Sequence, residues 1–189
     1  ARRTKVYLCG NSLGLQPKGT EKYVLEELDL WRRRGVDGHF SGARPWLTTD
    51  DYVQQAAADL VGAQRAEVAI MNSLTTNLHL LMVPFYRPTP TRYKIVIERQ
   101  PFPSDLYAVQ SQARFHGFDA ADAVVQVGAR DGEHCVRTDD IERALDEHGD
   151  AVALVLWPGV QYYTGQCFEL ERIAAAAHRH GALLGVDLA

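Results

Sequence analysis

From Val68 onward, short continuous apolar runs alternate with segments that have helical periodicity. Continuous apolar runs are typical of strands covered by helices on both faces, whereas strands with one face in water alternate apolar with polar residues. The alternation therefore predicts an α/β fold, in which a mostly parallel sheet has helices on both faces. Ligands of such sheets bind beyond the carboxyl ends of the strands, so functional residues are expected there.

The predicted elements follow from the positions of these runs and of the helix-ending residues between them. The predicted strands cover residues 68–72, 93–97, 123–127, 152–157 and 182–187. The predicted helices between them cover residues 74–84, 104–116, 139–148 and 170–180. Nearer the N-terminus, helical spacing predicts a helix over 18–33 and a second from Thr49 or Asp50 to Val61, with an irregular loop between them.

Composition argues against several classes of protein. The 189 residues are 46% apolar and carry a net charge of −4, which argues against a nucleic-acid partner and a polybasic membrane surface. No apolar run approaches the roughly 18 residues that a membrane-spanning helix needs. Three widely separated cysteines are typical of reduced thiols, so a cytoplasmic protein is expected. The chain stops directly after a predicted strand, and we therefore expect a fragment of a longer protein.

The first candidate site at a strand end is the helix start that follows residues 68–72. It reads Ser73-Leu74-Thr75-Thr76, which places hydroxyl side chains at a helix N-terminus. Such a start either caps the helix with a side chain or binds an anion through free backbone N–H groups and the helix dipole. The helix has no lysine and no glycine-rich phosphate loop, so a Walker-type nucleotide site is not supported.

The second candidate follows the predicted strand 93–97. Phe102 stands between Pro101 and Pro103, and the two prolines restrict the backbone so that the aromatic ring is presented rigidly. Ser104 or Asp105 then either caps the following helix or belongs to the same site.

The third candidate is Asp187, at the end of the last apolar run. A carboxylate at such a position is costly to bury unless it pairs with a metal, an arginine or a protonated heterocycle. The seven histidines show no metal-ligand spacing, which disfavours a metal. An anion-binding helix start, a rigid aromatic ring and a strand-end carboxylate together suit pyridoxal 5′-phosphate (PLP), which carries a phosphate and a pyridine ring.

Several stretches of the chain resemble the kynureninase family, in the family's order and at its spacing. They are Gly10–Pro17, Gly38-His39, Arg44–Trp46, Met71–Met82, Phe102–Asp105, Tyr162–Gln166 and Gly185–Ala189. The resemblance implies the incomplete large domain of a PLP-dependent, fold-type-I transferase-like enzyme, preceded by an N-terminal helical arm. It implies an arm and substrate-loop region at residues 1–49 and a partial PLP-binding domain at residues 50–189.

The resemblance also implies an activity and a set of site residues. Family members are homodimers that hydrolyse the small molecule L-kynurenine to anthranilate and L-alanine, and often 3-hydroxykynurenine to 3-hydroxyanthranilate. By position, the implied cofactor-binding residues are Leu74 and Thr75 at the phosphate, Phe102 against the ring, Pro103, Ser104 and Asp105 in the same motif, and Asp187 at the pyridine nitrogen. The loops that line the family's substrate pocket match Ser12, His39 and Trp46.

Two features depart from the family's pattern. Pro158 stands where the family usually has a hydroxyl residue that contacts the cofactor. The Schiff-base lysine is missing, since the family places it beyond Ala189, as it does a nearby histidine and tyrosine and the arginine for the substrate carboxylate. The chain's lysines are Lys5, Lys18, Lys22 and Lys94, and none of them ends a late strand. No catalytic residue is therefore expected within the chain.

Two other interpretations stay open at this point. The chain is either a truncated, non-catalytic fragment or another fold-type-I PLP enzyme, such as a desulfurase-like protein. The Gly38-His39 and Phe102–Asp105 motifs argue against the desulfurase interpretation.

Overall fold

The computed structural model describes residues 5–189, which form two compact units. The first unit extends to Asn72, and the second covers Ser73–Ala189. The division of the chain into 1–49 and 50–189, which the resemblance implies, stays a prediction.

The first unit contains two α-helices joined by irregular and 3-10 segments. Helix α1 covers Thr20–Arg34 and helix α2 covers Asp51–Val61, close to the predicted bounds. Helix α2 ends at Gly62, which has the left-handed conformation (φ 68°) that glycine adopts without steric cost. The predicted strand over residues 68–72 is wrong, because these residues form no β-ladder and expose Ile70 and Met71. An apolar run becomes a strand only where a neighbouring strand accepts its backbone hydrogen bonds.

The second unit is built on a four-stranded parallel sheet. Its strands are β1 (Lys94–Glu98), β2 (Val124–Val127), β3 (Val152–Pro158) and β4 (Leu183–Asp187). They lie in the order β2-β1-β3-β4, and every pair is parallel. The predicted α/β fold with a parallel sheet is therefore confirmed.

Five helices connect and cover these strands. They are α3 (Leu74–Phe85), α4 (Pro103–Phe115), α5 (Ala120–Ala123), α6 (Thr138–His148) and α7 (Leu170–Arg179). The short helix α5 was not predicted, because four residues are too few to show a helical period. Asp119 caps it by accepting a hydrogen bond from the backbone N–H of Ala121 at 3.0 Å.

Both faces of the sheet are buried, because successive side chains of each strand point to opposite faces. The face covered by α6 and α7 has a cluster that includes Val96, Val155, Trp157, Ile141, Leu145 and Ile173. The face covered by α3 and α4 has a cluster that includes Ile95, Ile97, Leu154, Leu156, Met82 and Val109. The continuous apolar runs of the sequence thus reflect burial on two sides, and the polar residues at the strand ends mark the edge where a site can form.

Candidate functional site

Helix α3 begins at Leu74, with Ser73 as its N-cap residue. The side chain of Ser73 makes no capping hydrogen bond, and its Oγ lies 3.4 Å from Thr76 Oγ1 instead. Of the two predicted alternatives, side-chain capping by Ser73 is therefore wrong. Since a serine cap would occupy a backbone N–H group, its absence leaves the helix start suited to an anion.

Phe102 directly precedes helix α4, and its backbone (φ −58°, ψ 132°) has the extended geometry that a following proline imposes. Pro103 takes the first helical position, so the expectation that Ser104 or Asp105 caps this helix is wrong. The Phe102 ring is half exposed and meets Tyr162 edge to face, with ring centroids 5.3 Å apart. Phe102 thus presents an accessible aromatic surface beside the sheet.

Asp105 points inward from the first turn of α4 and is only 5% exposed. Ser104 Oγ donates a hydrogen bond to its Oδ1 at 3.3 Å. Burial raises the pKa of Asp105 to about 6, and the neighbouring charge of Asp187 acts in the same direction. Two carboxyl groups from different elements, α4 and β4, therefore lie close together with a shared excess of negative charge.

Asp187 ends the edge strand β4 and is partly exposed. Its Oδ1 accepts a hydrogen bond from the backbone N–H of Ala189 at 2.9 Å, and it pairs in the sheet with Pro158. The proline that departs from the family's pattern thus lies on the strand beside Asp187, where it supplies no hydroxyl and no backbone N–H.

A cavity of about 380 Å³ lies between the start of helix α3 and the carboxylates of Asp105 and Asp187. Its wall includes Leu74, Asn77 and Leu78 of α3, Asp105 of α4, and Asp187 at the end of β4. The helix start and both carboxylates therefore face one space, large enough for a small aromatic ligand. Thr75, Phe102, Pro103 and Ser104 are not among the residues that line it.

Glu98, at the carboxyl end of β1, is a site residue that sequence reasoning missed. It is 1% exposed, and its Oε2 has no hydrogen-bond partner within residues 5–189. Burial, with a smaller contribution from Asp105, raises the pKa of Glu98 to about 7, and a hydrogen bond from Gln161 acts in the opposite direction. A carboxylate directly after an apolar run was the signal that singled out Asp187, and the same signal applied at Glu98.

In the first unit, the structure brings together two of the three predicted substrate-pocket residues. His39 and Trp46 meet edge to face, with ring centroids 5.2 Å apart. Trp46 Nε1 donates a hydrogen bond to Glu27 Oε2 at 2.8 Å. Gly38 is buried against the indole, and a Cβ at this position would lie 2.6 Å from the ring. Ser12 stands apart in an exposed turn.

No group of three or more histidine, cysteine, aspartate or glutamate side chains within residues 5–189 is arranged to hold a metal ion. No helix in that range is long and apolar enough to cross a membrane.

Curated kynureninases are similar to nearly the whole chain. The chain is 52% identical to the kynureninase of Nematostella vectensis and 53% identical to that of Myxococcus xanthus, in each case over 97% of its residues. The kynureninase of Mus musculus is 46% identical over the same share. The chain spans 40–43% of the length of these relatives.

Solved structures share the fold at low sequence identity. A C-DES mutant with glycine covalently linked to its PLP cofactor matches with a TM-score of 0.70 at 17% identity, over 93% of this chain and 44% of that chain. The apo cysteine desulfurase of Thermococcus onnurineus matches with a TM-score of 0.62 at 21% identity, over 89% and 41%. The Aminotransferase class-V family model matches residues 47–189. The chain belongs to the Aminotransferase class-V family.

Proposed function

We propose that the whole protein is a PLP-dependent hydrolase that cleaves L-kynurenine to anthranilate and L-alanine, and 3-hydroxykynurenine to 3-hydroxyanthranilate. The observation that carries the proposal is the identity of about half of all residues with kynureninases of distant organisms, over 97% of the chain. The structural neighbours at 16–21% identity support the fold alone, so they do not favour a desulfurase activity.

The residues around the cavity fit a cofactor with a phosphate and a cationic ring. The start of α3, where Ser73 makes no capping bond, would bind the phosphate through backbone N–H groups of Leu74 and Thr75. Phe102, in the Phe102–Asp105 motif, would stack on the ring. The carboxylates of Asp105 and Asp187 would face the ring nitrogen. A raised pKa at Asp105, beside a second carboxylate and without a cation, is what a pocket for a cation has before that cation binds.

When bound, PLP supplies an electron sink for the carbanion that forms when the substrate's α-proton leaves. Asp187, supported by Asp105, would hold a proton on the ring nitrogen, because a nearby anion favours the charged form of the ring. Helix α3 and Phe102 would fix the position of the ring so that its protonated nitrogen stays next to the two carboxylates. The resemblance places the Schiff-base lysine beyond Ala189, so the residues described here would bind and polarise the cofactor rather than react with it.

His39, Trp46 and Ser12 would contribute to the substrate pocket. The edge-to-face pair of His39 and Trp46 offers an aromatic surface for the aryl group of kynurenine, and the bond from Trp46 to Glu27 fixes the indole. We further propose that the protein acts as a homodimer in the cytoplasm, in tryptophan breakdown through kynurenine and in the supply of precursors for NAD.

The test uses the protein expressed from its complete reading frame, purified with PLP and assayed for anthranilate formation from kynurenine by fluorescence. We expect turnover in the wild type and a loss of roughly 100-fold or more in kcat/KM for Asp187→Ala, because the ring nitrogen loses its anionic partner. Asp131→Ala, at an exposed position of a loop, serves as the matched control.

Three results would count against the proposal. A PLP-loaded protein without kynurenine cleavage would contradict the substrate, and near-normal turnover of Asp187→Ala would contradict the role of Asp187. A reading frame that supplies no Schiff-base lysine would favour the truncated, non-catalytic alternative.

A further inference from the structure

Three carboxyl groups lead from the interior of the second unit to its cavity, and the innermost has no part in the proposed function. Glu98 is 1% exposed, Asp105 is 5% exposed, and Asp187 is partly exposed at the cavity wall. The electrostatic contacts connect them in this order, because Asp187 acts on Asp105 and Asp105 acts on Glu98.

The surroundings of Glu98 are mostly apolar, with Gln161 and Asp105 as polar neighbours. The sheet register places Ile97 beside Leu156, so Glu98 lies beside Trp157 on the face that carries Val127 and Phe168. Oε2 of Glu98 and Nε1 of Trp157 are the buried side-chain atoms without a hydrogen-bond partner within residues 5–189. An ionised carboxylate in such surroundings is strongly disfavoured, so Glu98 is the group of the three that best keeps a proton.

No cation balances Glu98 among the described residues, since none of their ion pairs includes it. Helix α4 presents the acidic Asp105 towards it, and the loop after β3 presents Gln161, which is neutral. Gln161 is held in place, because its Nε2 donates to the carbonyl of Gln100 at 3.2 Å and its Oε1 accepts from the backbone N–H of Tyr163 at 2.6 Å. The charged neighbour is therefore negative, and it opposes ionisation of Glu98.

We propose that Glu98 is a positioning residue that holds a proton behind Asp105: it stays neutral while Asp105 carries its charge, and it releases the proton when a cation enters the cavity. The inference rests on the proposed function, because the cation is the protonated ring of the cofactor. Before the cation enters, a neutral Glu98 limits the negative charge at the cavity to Asp105 and Asp187. Burial raises the pKa of both groups, and Glu98 is the more deeply buried of the two.

The experiment follows the side-chain carboxyl carbons of glutamate by 13C NMR as the pH is varied, in the cofactor-free protein from the complete reading frame. Glu98→Gln identifies the resonance of Glu98 by its loss. We expect a midpoint near pH 7 for this resonance. In Asp105→Asn the midpoint should fall by about half a unit to one unit, because a neighbouring negative charge is removed. Asp131→Asn, at the exposed loop position, should leave it unchanged.

A second arm adds PLP to the wild type, with inorganic phosphate as the control anion. We expect PLP to lower the Glu98 midpoint, because a cation near Asp105 and Asp187 favours ionisation of the next carboxyl group, whereas phosphate should not lower it. Should Glu98→Gln fail to fold, Glu98→Asp identifies the resonance instead, because it removes the glutamate signal and keeps a carboxyl group, and both arms remain decisive.

The outcomes separate this inference from the proposed function. A Glu98 midpoint in the ordinary range, or one that Asp105→Asn does not move, would overturn the inference. PLP binding without a change in the midpoint would overturn the coupling to the cavity. A protein that shows both shifts but does not cleave kynurenine would refute the proposed function and support the role of Glu98. Failure to bind PLP would refute the proposed function and the release of the proton, and the Asp105→Asn arm would still decide whether Glu98 holds one.

Discussion

The two compact units differ in what their apolar side chains contact. In the described part of the first unit, the buried residues are Gly38 and Ala58, while Leu28 and Trp31 of α1 are more than half exposed. In the second unit, two apolar clusters cover both faces of the parallel sheet, and Trp157 is completely buried. Both units contain helices that the sequence pattern predicts, but in the second unit α6 and α7 bury their apolar faces against the sheet.

The difference shows what hydrophobic periodicity reports. The period of 3.6 residues identifies a helix and its apolar face, but it does not say what covers that face. Helices gain most of their stability in proteins from packing of the apolar face, and an exposed apolar patch lacks this contribution. Residues of the same type should therefore contribute very differently to the stability of the two units.

The largest expected effect compares two tryptophans. Trp157→Ala should lower the free energy of unfolding of the second unit by about 3–5 kcal/mol, because it leaves a large cavity beside Phe168 in the core. Trp31→Ala, on the exposed face of α1, should change the free energy of unfolding of the first unit by less than about 0.5 kcal/mol. Urea unfolding followed by far-UV circular dichroism measures both. Equal effects of the two substitutions would contradict the contrast between the units.

The fold of the second unit could be predicted because local pattern and tertiary burial agree there. The inner strands β1 and β3 are apolar runs that helices cover on both sides, whereas the edge strand β4 is partly exposed. The run at residues 68–72 is also apolar, but no strand within residues 5–189 pairs with it. Pairing is a long-range property, which explains why five strands were predicted and the described part of the chain has four.

The sequence predicted part of the candidate site, although the strand expected before Leu74 did not form and Asp105 lies in the first turn of α4. Leu74, Asp105 and Asp187 come from three elements and line one cavity, as expected for the carboxyl edge of a parallel sheet. What could not be predicted is how deeply each side chain is buried. Glu98 and Asp187 both follow apolar runs, but Glu98 ends an inner strand and Asp187 ends the edge strand. Strand order decides which of the two reaches the cavity.

The second expected effect lies in the first unit, where Gly38 is buried against the indole of Trp46. Gly38→Ala should destabilise this unit by about 1–3 kcal/mol, because the new Cβ would lie 2.6 Å from the indole of Trp46. Near-UV circular dichroism of the tryptophans and thermal unfolding measure the change. Gly14→Ala, where no atom lies within 4 Å of the added Cβ, is the control. An unchanged Gly38→Ala variant would mean that the Gly38–Trp46 contact does not hold this unit together.

The third prediction concerns pH and the buried carboxyl groups of the second unit. The folded-state pKa values of Asp105 and Glu98 are raised, so their contribution to stability is greatest below their ordinary pKa values and falls as pH rises through about 6 and 7. At pH 8, Asp105→Asn should therefore be more stable than the wild type by about 1–2 kcal/mol, a gain limited because the cavity partly hydrates the carboxyl group. Near pH 4 we expect no gain. Urea unfolding at a series of pH values measures the difference. Asp59→Asn, exposed on α2 of the first unit, should show no such trend.

The smallest expected effect tests whether surface ion pairs add to a core that is already packed. Arg172 donates to Asp139 and Glu142 of α6 and to Glu169, and these carboxylates raise its pKa. Because α6 and α7 already pack through Ile141 and Ile173, Arg172→Lys should lower the Tm only slightly, and about 1 M salt should abolish the difference. A loss comparable with that of Trp157→Ala, or one that salt does not reduce, would show that the two helices depend on this network. In that case the contrast between the units would rest on charge rather than on burial.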